Sequence, residues 1–157
     1  MHARCVTAAL LLALAAASPA QAQKKAARAE KVDRHQCRIG PEEKQTRFIM
    51  ETVQNKPVYL AYWNKVGGYR CSFEARRSGD GYTRWSETSV GTVIKLIQGT
   101  LLIERNGNDF EITLRDVDRM TYCGQFGLLS GVLTVPANKA ECTWKEMTSE
   151  EAGDLNR

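Results

Sequence analysis

Histidine is nearly missing: the chain holds only His2 and His35, and both precede the hydrophobic alternation that begins near Cys37. Nucleophilic catalysis by Ser, Thr or Cys needs a base beside the nucleophile, most often histidine. Ser72, Ser78, Ser86, Ser89 and Ser130 also lack a Gly-x-Ser-x-Gly context. Both absences argue against a serine hydrolase. Long hydrophobic runs are absent too. The longest, Val6 to Ala17, has 12 residues, whereas a helix needs roughly 20 to cross a bilayer. No stable membrane insertion is expected.

No two cysteines stand in a Cys-x-x-Cys pair, which with the scarcity of histidine argues against zinc. Asp116-x-Asp118 supplies too few oxygens at set spacing for a calcium loop. Cys123-Gly124-Gln125-Phe126-Gly127 lacks the Gly-Lys-Ser/Thr ending of a phosphate loop; its glycines read as a tight turn and Phe126 as a plug at one end of the core. No cofactor is expected. An excess of one charge is missing as well. From Cys37 onward there are 16 Lys plus Arg and 16 Asp plus Glu. Nucleic-acid binding rests on excess cationic charge, so no nucleic acid is expected as a partner.

What is present begins with an export signal. Arg4, the apolar run and then Ser18-Pro19-Ala20-Gln21-Ala22 form a signal peptide over 1–22, with cleavage expected after Ala22. Residues 23–36, Ala-rich and basic through Lys24, Lys25, Arg28, Lys31 and Arg34, read as a disordered linker. A β domain is expected over 37–146 and a polar tail over 147–157. Loss of Cys5 with the signal leaves Cys37, Cys71, Cys123 and Cys142, an even set that reads as disulfides in the periplasm or outside the cell. Three pairings are possible. Proximity along the chain favours Cys37–Cys71 and Cys123–Cys142.

Gly91 to Leu114 organises the domain as three antiparallel strands, broken at Gly99 and at Asn106 to Asp109. Both parities are apolar between Val93 and Ile103, which predicts cover on both faces or a homo-oligomeric interface. Tyr69, Cys71, Phe73 and Ala75 alternate with polar residues, as do Phe110, Ile112 and Leu114. Gly40-Pro41-Glu42-Glu43 could open a helix, but Arg47 to Val53 and Val58 to Trp63 read as a hairpin. Met120 to Cys123 reads as a short strand. Eight or nine short strands predict an all-β fold: a small antiparallel meander barrel of about eight strands, with a two-sheet β-sandwich as the alternative, stapled by disulfides.

Asp80, Glu87, Asp109, Asp116 and Asp118 are the candidates for a carboxylate-based hydrolase. Asp80 and Asp109 also suit turns, and Asp116 and Asp118 suit a solvated ion-pair cluster with the neighbouring arginines. The stronger reading is a non-enzymatic binding module for a protein or a small apolar ligand. Tyr59, Tyr62, Trp63 and Tyr69, then Tyr82, Arg84 and Trp85, concentrate aromatic and arginine side chains on the first hairpins, and such residues dominate interface energetics. Trp63 and Trp85 suit core positions equally well. Ser78-Gly79-Asp80-Gly81-Tyr82 resembles the Ser-Gly-x-x-Tyr loop of the periplasmic inhibitors of C-type lysozyme, small exported β-barrels with disulfides. That resemblance covers five residues and implies that Ser78 and Tyr82 enter a lysozyme cleft. The family's second motif, an aromatic pair followed by Lys-Gly, is not found downstream.

Overall fold

Alternation of buried and exposed side chains carries through most of the chain, and the strands it produces are stacked in two layers. A computed structural model describes residues 30–147 apart from 42–44, 67, 80 and 126–127. The expected signal peptide, the start of the linker, Phe126 and nearly all of the polar tail lie outside the described residues.

The first sheet is a meander of β1 (Val32–Ile39), β2 (Thr46–Val53), β3 (Lys56–Val66) and β4 (Tyr69–Arg76), in that order. The second is a meander of β5 (Arg84–Glu87), β6 (Thr92–Lys95), β7 (Thr100–Asn106), β8 (Asp109–Asp118), β9 (Leu128–Val135) and β10 (Thr143–Glu146). All named pairings are antiparallel, and the sheets do not close on each other. The two-sheet sandwich therefore fits, and a closed barrel is not found among the described residues. Strand β1 starts at Val32, inside the segment expected to be a disordered linker, because Val32 to Gln36 pair with Val53 to Ile49 of β2. The chain over Arg47 to Val53 is a strand, as its alternation indicates.

The inner faces form one core. The first sheet contributes Cys37, Phe48, Met50, Leu60, Tyr62, Phe73 and Ala75; the second contributes Ile94, Leu101, Ile103, Phe110, Ile112, Leu114, Leu133 and Val135. Most are under 4 % exposed, so side chains fill the space between the layers. Each apolar side chain buried this way stabilises by about 1.5–3 kcal/mol before conformational entropy is set against it.

The ends of the sandwich are closed differently. At one end β8 kinks between Leu114 and Val117, with Asp116 at φ 50°, and runs into a short helix α1 (Arg119–Cys123) where a strand was expected. Asp118 is the reason: its carboxylate accepts from the amides of Met120 and Thr121 at 3.2 and 2.9 Å, an N-cap that starts a helical turn. Gly124, at φ 64°, stops it. The Tyr122 ring packs edge-on against Phe73 of β4 at 5.6 Å. At the other end His35 of β1 meets the Phe110 ring of β8 at 4.9 Å, and Arg105 of β7 donates to Asn55 in the β2–β3 turn at 2.6 Å.

The disulfides are Cys37–Cys142 and Cys71–Cys123, with Cα separations of 5.4 and 4.0 Å, which corrects the local pairing expected from proximity along the chain. Cys37 and Cys71 sit on β1 and β4, opposite edges of one sheet. Three strand spacings, roughly 14 Å, separate such edges, beyond the reach of about 7 Å for a bridge. Each bridge instead ties the four-stranded sheet to the other half of the molecule. Cys142 is brought to Cys37 by a backbone stitch: Arg38 N donates to Ala140 O at 2.9 Å and Cys142 N to Arg38 O at 3.0 Å. Two disulfides are consistent with an oxidising compartment, and no helix among the described residues is long and apolar enough to cross a membrane.

Candidate functional site

Two surfaces gather the residues that could recognise a partner. The first is the crossover from β4 to β5, residues 77–83, which links the sheets. Its base is held at several points. Arg77 N donates to Val58 O at 2.9 Å, the Arg77 guanidinium pairs with Glu87, and Thr92 Oγ1 donates to Glu87 Oε2 at 2.9 Å. Burial alone would raise the Glu87 carboxyl, but the hydrogen bonds from Thr92 and Arg77 and the charges of Arg77 and Lys56 outweigh it and hold the group below its ordinary value.

Above that clamp Ser78 is exposed, and Gly79 and Gly81 take φ of 96° and 77°, values that side chains resist. Tyr82 is 72 % exposed. Arg84 is exposed on β5, whereas Trp85 turns inward, packs against the core and donates Nε1–H to Thr83 Oγ1 at 3.1 Å. Of the four candidates, Ser78, Tyr82 and Arg84 are displayed; Trp85 is half-buried and braces the loop from beneath. Asp80 lies outside the described residues.

The second surface is the outer face of the four-stranded sheet. The register aligns Arg38, Arg47, Trp63 and Ser72 in one row, Gln36, Ile49, Ala61 and Glu74 in the next, and Arg34, Glu51, Tyr59 and Arg76 in a third. Among the described residues both acids of this face are engaged: Arg34 reaches Glu51 at 3.2 Å and Arg76 reaches Glu74 at 3.6 Å. Arg76 also lies 4.4 Å from the centroid of the Tyr59 ring. An open groove of about 570 Å³ crosses the face, lined by Arg47, Trp63, Lys65, Arg70 and Ser72 among others. Arg47 is steadied by Nε–H donated to Gln45 Oε1 at 2.6 Å. Trp63 was legible as an aromatic, and Lys65 follows it two residues on, but Arg47 and Arg70 lie on the flanking strands and reach this face only through the register.

Two of the remaining carboxylates, Asp118 and Asp109, serve the backbone. Asp118 caps α1, and its oxygens, receiving bonds from Thr121 foremost, hold its carboxyl below the usual range. That replaces the ion-pair cluster expected with Arg119, which instead donates to Gln125 at 2.6 Å. Asp109 accepts from Ala137 N at 3.0 Å, and Asp116 is exposed at the β8 kink. No family model, curated protein or solved structure matches this chain, so the likeness to lysozyme inhibitors rests on the loop alone.

Proposed function

We propose that this chain is an exported, non-catalytic binding domain that recognises a protein through the crossover loop, with Ser78, Tyr82 and Arg84 in contact and Trp85 as support. The observation that carries this reading is Tyr82, exposed over 72 % of its surface on a loop whose base is clamped. An exposed tyrosine on a held loop offers large contact area for little ordering entropy. The filled interior supports surface recognition over carriage of a small apolar ligand. The reading places the protein in the periplasm or outside the cell.

A photoreactive residue at position 82 should trap one partner from the compartment's extract, and the same residue at Asn138, at a different turn, should trap none. Equal or absent trapping counts against the proposal. Turnover of a substrate in a hydrolase panel, lost on Asp116→Asn, would overturn its non-catalytic part.

The exposed Ser78 and Tyr82 flanking two positive-φ glycines favour one specific version: inhibition of a C-type lysozyme by insertion of this loop. Added protein should slow lysis, and Tyr82→Ala should abolish the effect. Undiminished lysis with the native chain removes this version.

A further inference from the structure

We propose that the groove around Trp63, on the outer face of the four-stranded sheet, binds an acidic polysaccharide, a sugar polymer bearing carboxylate or sulfate groups. Three cations line it, Arg47, Lys65 and Arg70, with no carboxylate among the described lining residues. They come from β2, β3 and β4, so the sheet presents their charge on one face. Among the described residues the face's two acids are paired elsewhere, with Arg34 and Arg76, and no described carboxylate stands against this concentration of positive charge. Charge of one sign on an open surface draws a ligand of the other.

The neutral lining narrows the class of anion. Trp63 is half-buried and gives an apolar platform, while Gln45 and the Ser72 hydroxyl supply amide and hydroxyl groups. An aromatic platform beside uncharged donors and acceptors suits a pyranose ring, and arginine forks suit its acidic substituents. The groove is open, and Tyr59 with Arg76 continues the same face four residues along β3, about 13 Å away. A chain of sugars reaches that far and a single sugar does not. The disulfides are consistent with a compartment where polysaccharides are met and nucleic acids are not the usual ligand.

Calorimetric titration of the native protein with a heparin dodecasaccharide and with oligogalacturonate tests this, with dextran, poly-glutamate and single-stranded DNA as comparisons. Binding to at least one acidic glycan is expected, weakening as salt rises, with none to dextran. Arg47→Glu with Arg70→Glu should lower that affinity at least about tenfold, and Trp63→Ala several-fold at constant salt. Arg70→Gln is the milder variant should the double one fail to fold. Lys95→Glu on the other sheet and Tyr82→Ala on the crossover loop should each leave affinity within about twofold, which separates this surface from the protein-recognising one. The proposal is overturned if neither acidic glycan binds, if the groove variants bind as the native chain does, or if poly-glutamate or DNA binds as tightly.

Discussion

The two sheets are alike within and unlike without. Both inner faces are apolar and nearly inaccessible, from Met50 and Leu60 on one side to Leu114 and Leu133 on the other. On the outside, the four-stranded sheet displays Arg34, Arg38, Arg47, Lys65, Arg70 and Arg76 around Trp63 and Tyr59. The outer face of the six-stranded sheet carries a stripe of Val93, Leu102, Thr113 and Val132, with Glu104 and Glu111 on one side of it and Arg84, Lys95 and Arg115 on the other, and no aromatic ring among its described residues. The inner faces answer to packing, which demands volume and apolarity alone. An outer face is free of that demand, so the aromatic rings of Trp63 and Tyr59, set among cations on the four-stranded sheet, point to recognition.

This difference also explains the stretch that is apolar on both parities. Val93 and Leu102 are cross-strand partners on the outer face and are half-buried, while Ile97 is 57 % exposed. Among the described residues no second layer covers them. Neighbouring side chains on the same face shield Val93 and Leu102 laterally, so much of the cover expected from a further layer comes from within the sheet.

The contrast presumes that the sheets stand or fall together, and removing their staples is the largest perturbation. Replacing Cys37 and Cys142 by alanine opens a loop of 105 residues; the entropic model gives a loss of about 4.7 kcal/mol, and about 4 for the Cys71–Cys123 bridge. Denaturant melts should register both, and one sheet melting before the other would break the comparison. Next, if the inner faces are equivalent, Leu60→Ala and Leu114→Ala should each cost about 2–5 kcal/mol. Ile49→Thr and Leu102→Thr on the outer faces should cost about 1 kcal/mol or less. A costly Leu102→Thr would reveal a hidden covering layer.

The smallest effect concerns the end where His35 of one sheet meets Phe110 of the other. Burial, foremost, and the Arg105 charge lower the imidazole below its ordinary value, against the opposing pull of Asp33. The unfolded chain therefore takes up the proton first. Stability from this site is complete above about pH 6.5 and declines as pH falls through that value. His35→Gln should flatten the pH dependence of melting between pH 7.5 and 5; an unchanged slope would remove His35 as its source.

Much of the fold could be read from local pattern. Phe73 and Ala75, or Phe110, Ile112 and Leu114, declare an inward face by recurring every second residue, and Asn106 to Asp109 declares a turn, where Gly107 takes φ 62°. Met120 to Cys123 misled because its outcome depended on Asp118 turning back to cap the next amides, a local bond that competes with strand pairing. The crossover loop was legible through its two glycines and the tyrosine that follows. The groove was not, since Arg47, Trp63 and Arg70 have nothing in common along the chain.

The amino-acid order by itself determined most of the strands, though not the first half of β1 nor the helical turn of α1, and which side of most strands faces inward. These follow from forces acting between near neighbours: steric preference, alternation and turn geometry. Only the tertiary structure decided that the strands divide into two open layers, that each disulfide joins β1 or β4 to a segment of the other half, and that Arg47 and Arg70 from neighbouring strands join Lys65 around Trp63. Those outcomes depend on which strand lies beside which, and distance along a chain does not measure distance across a sheet.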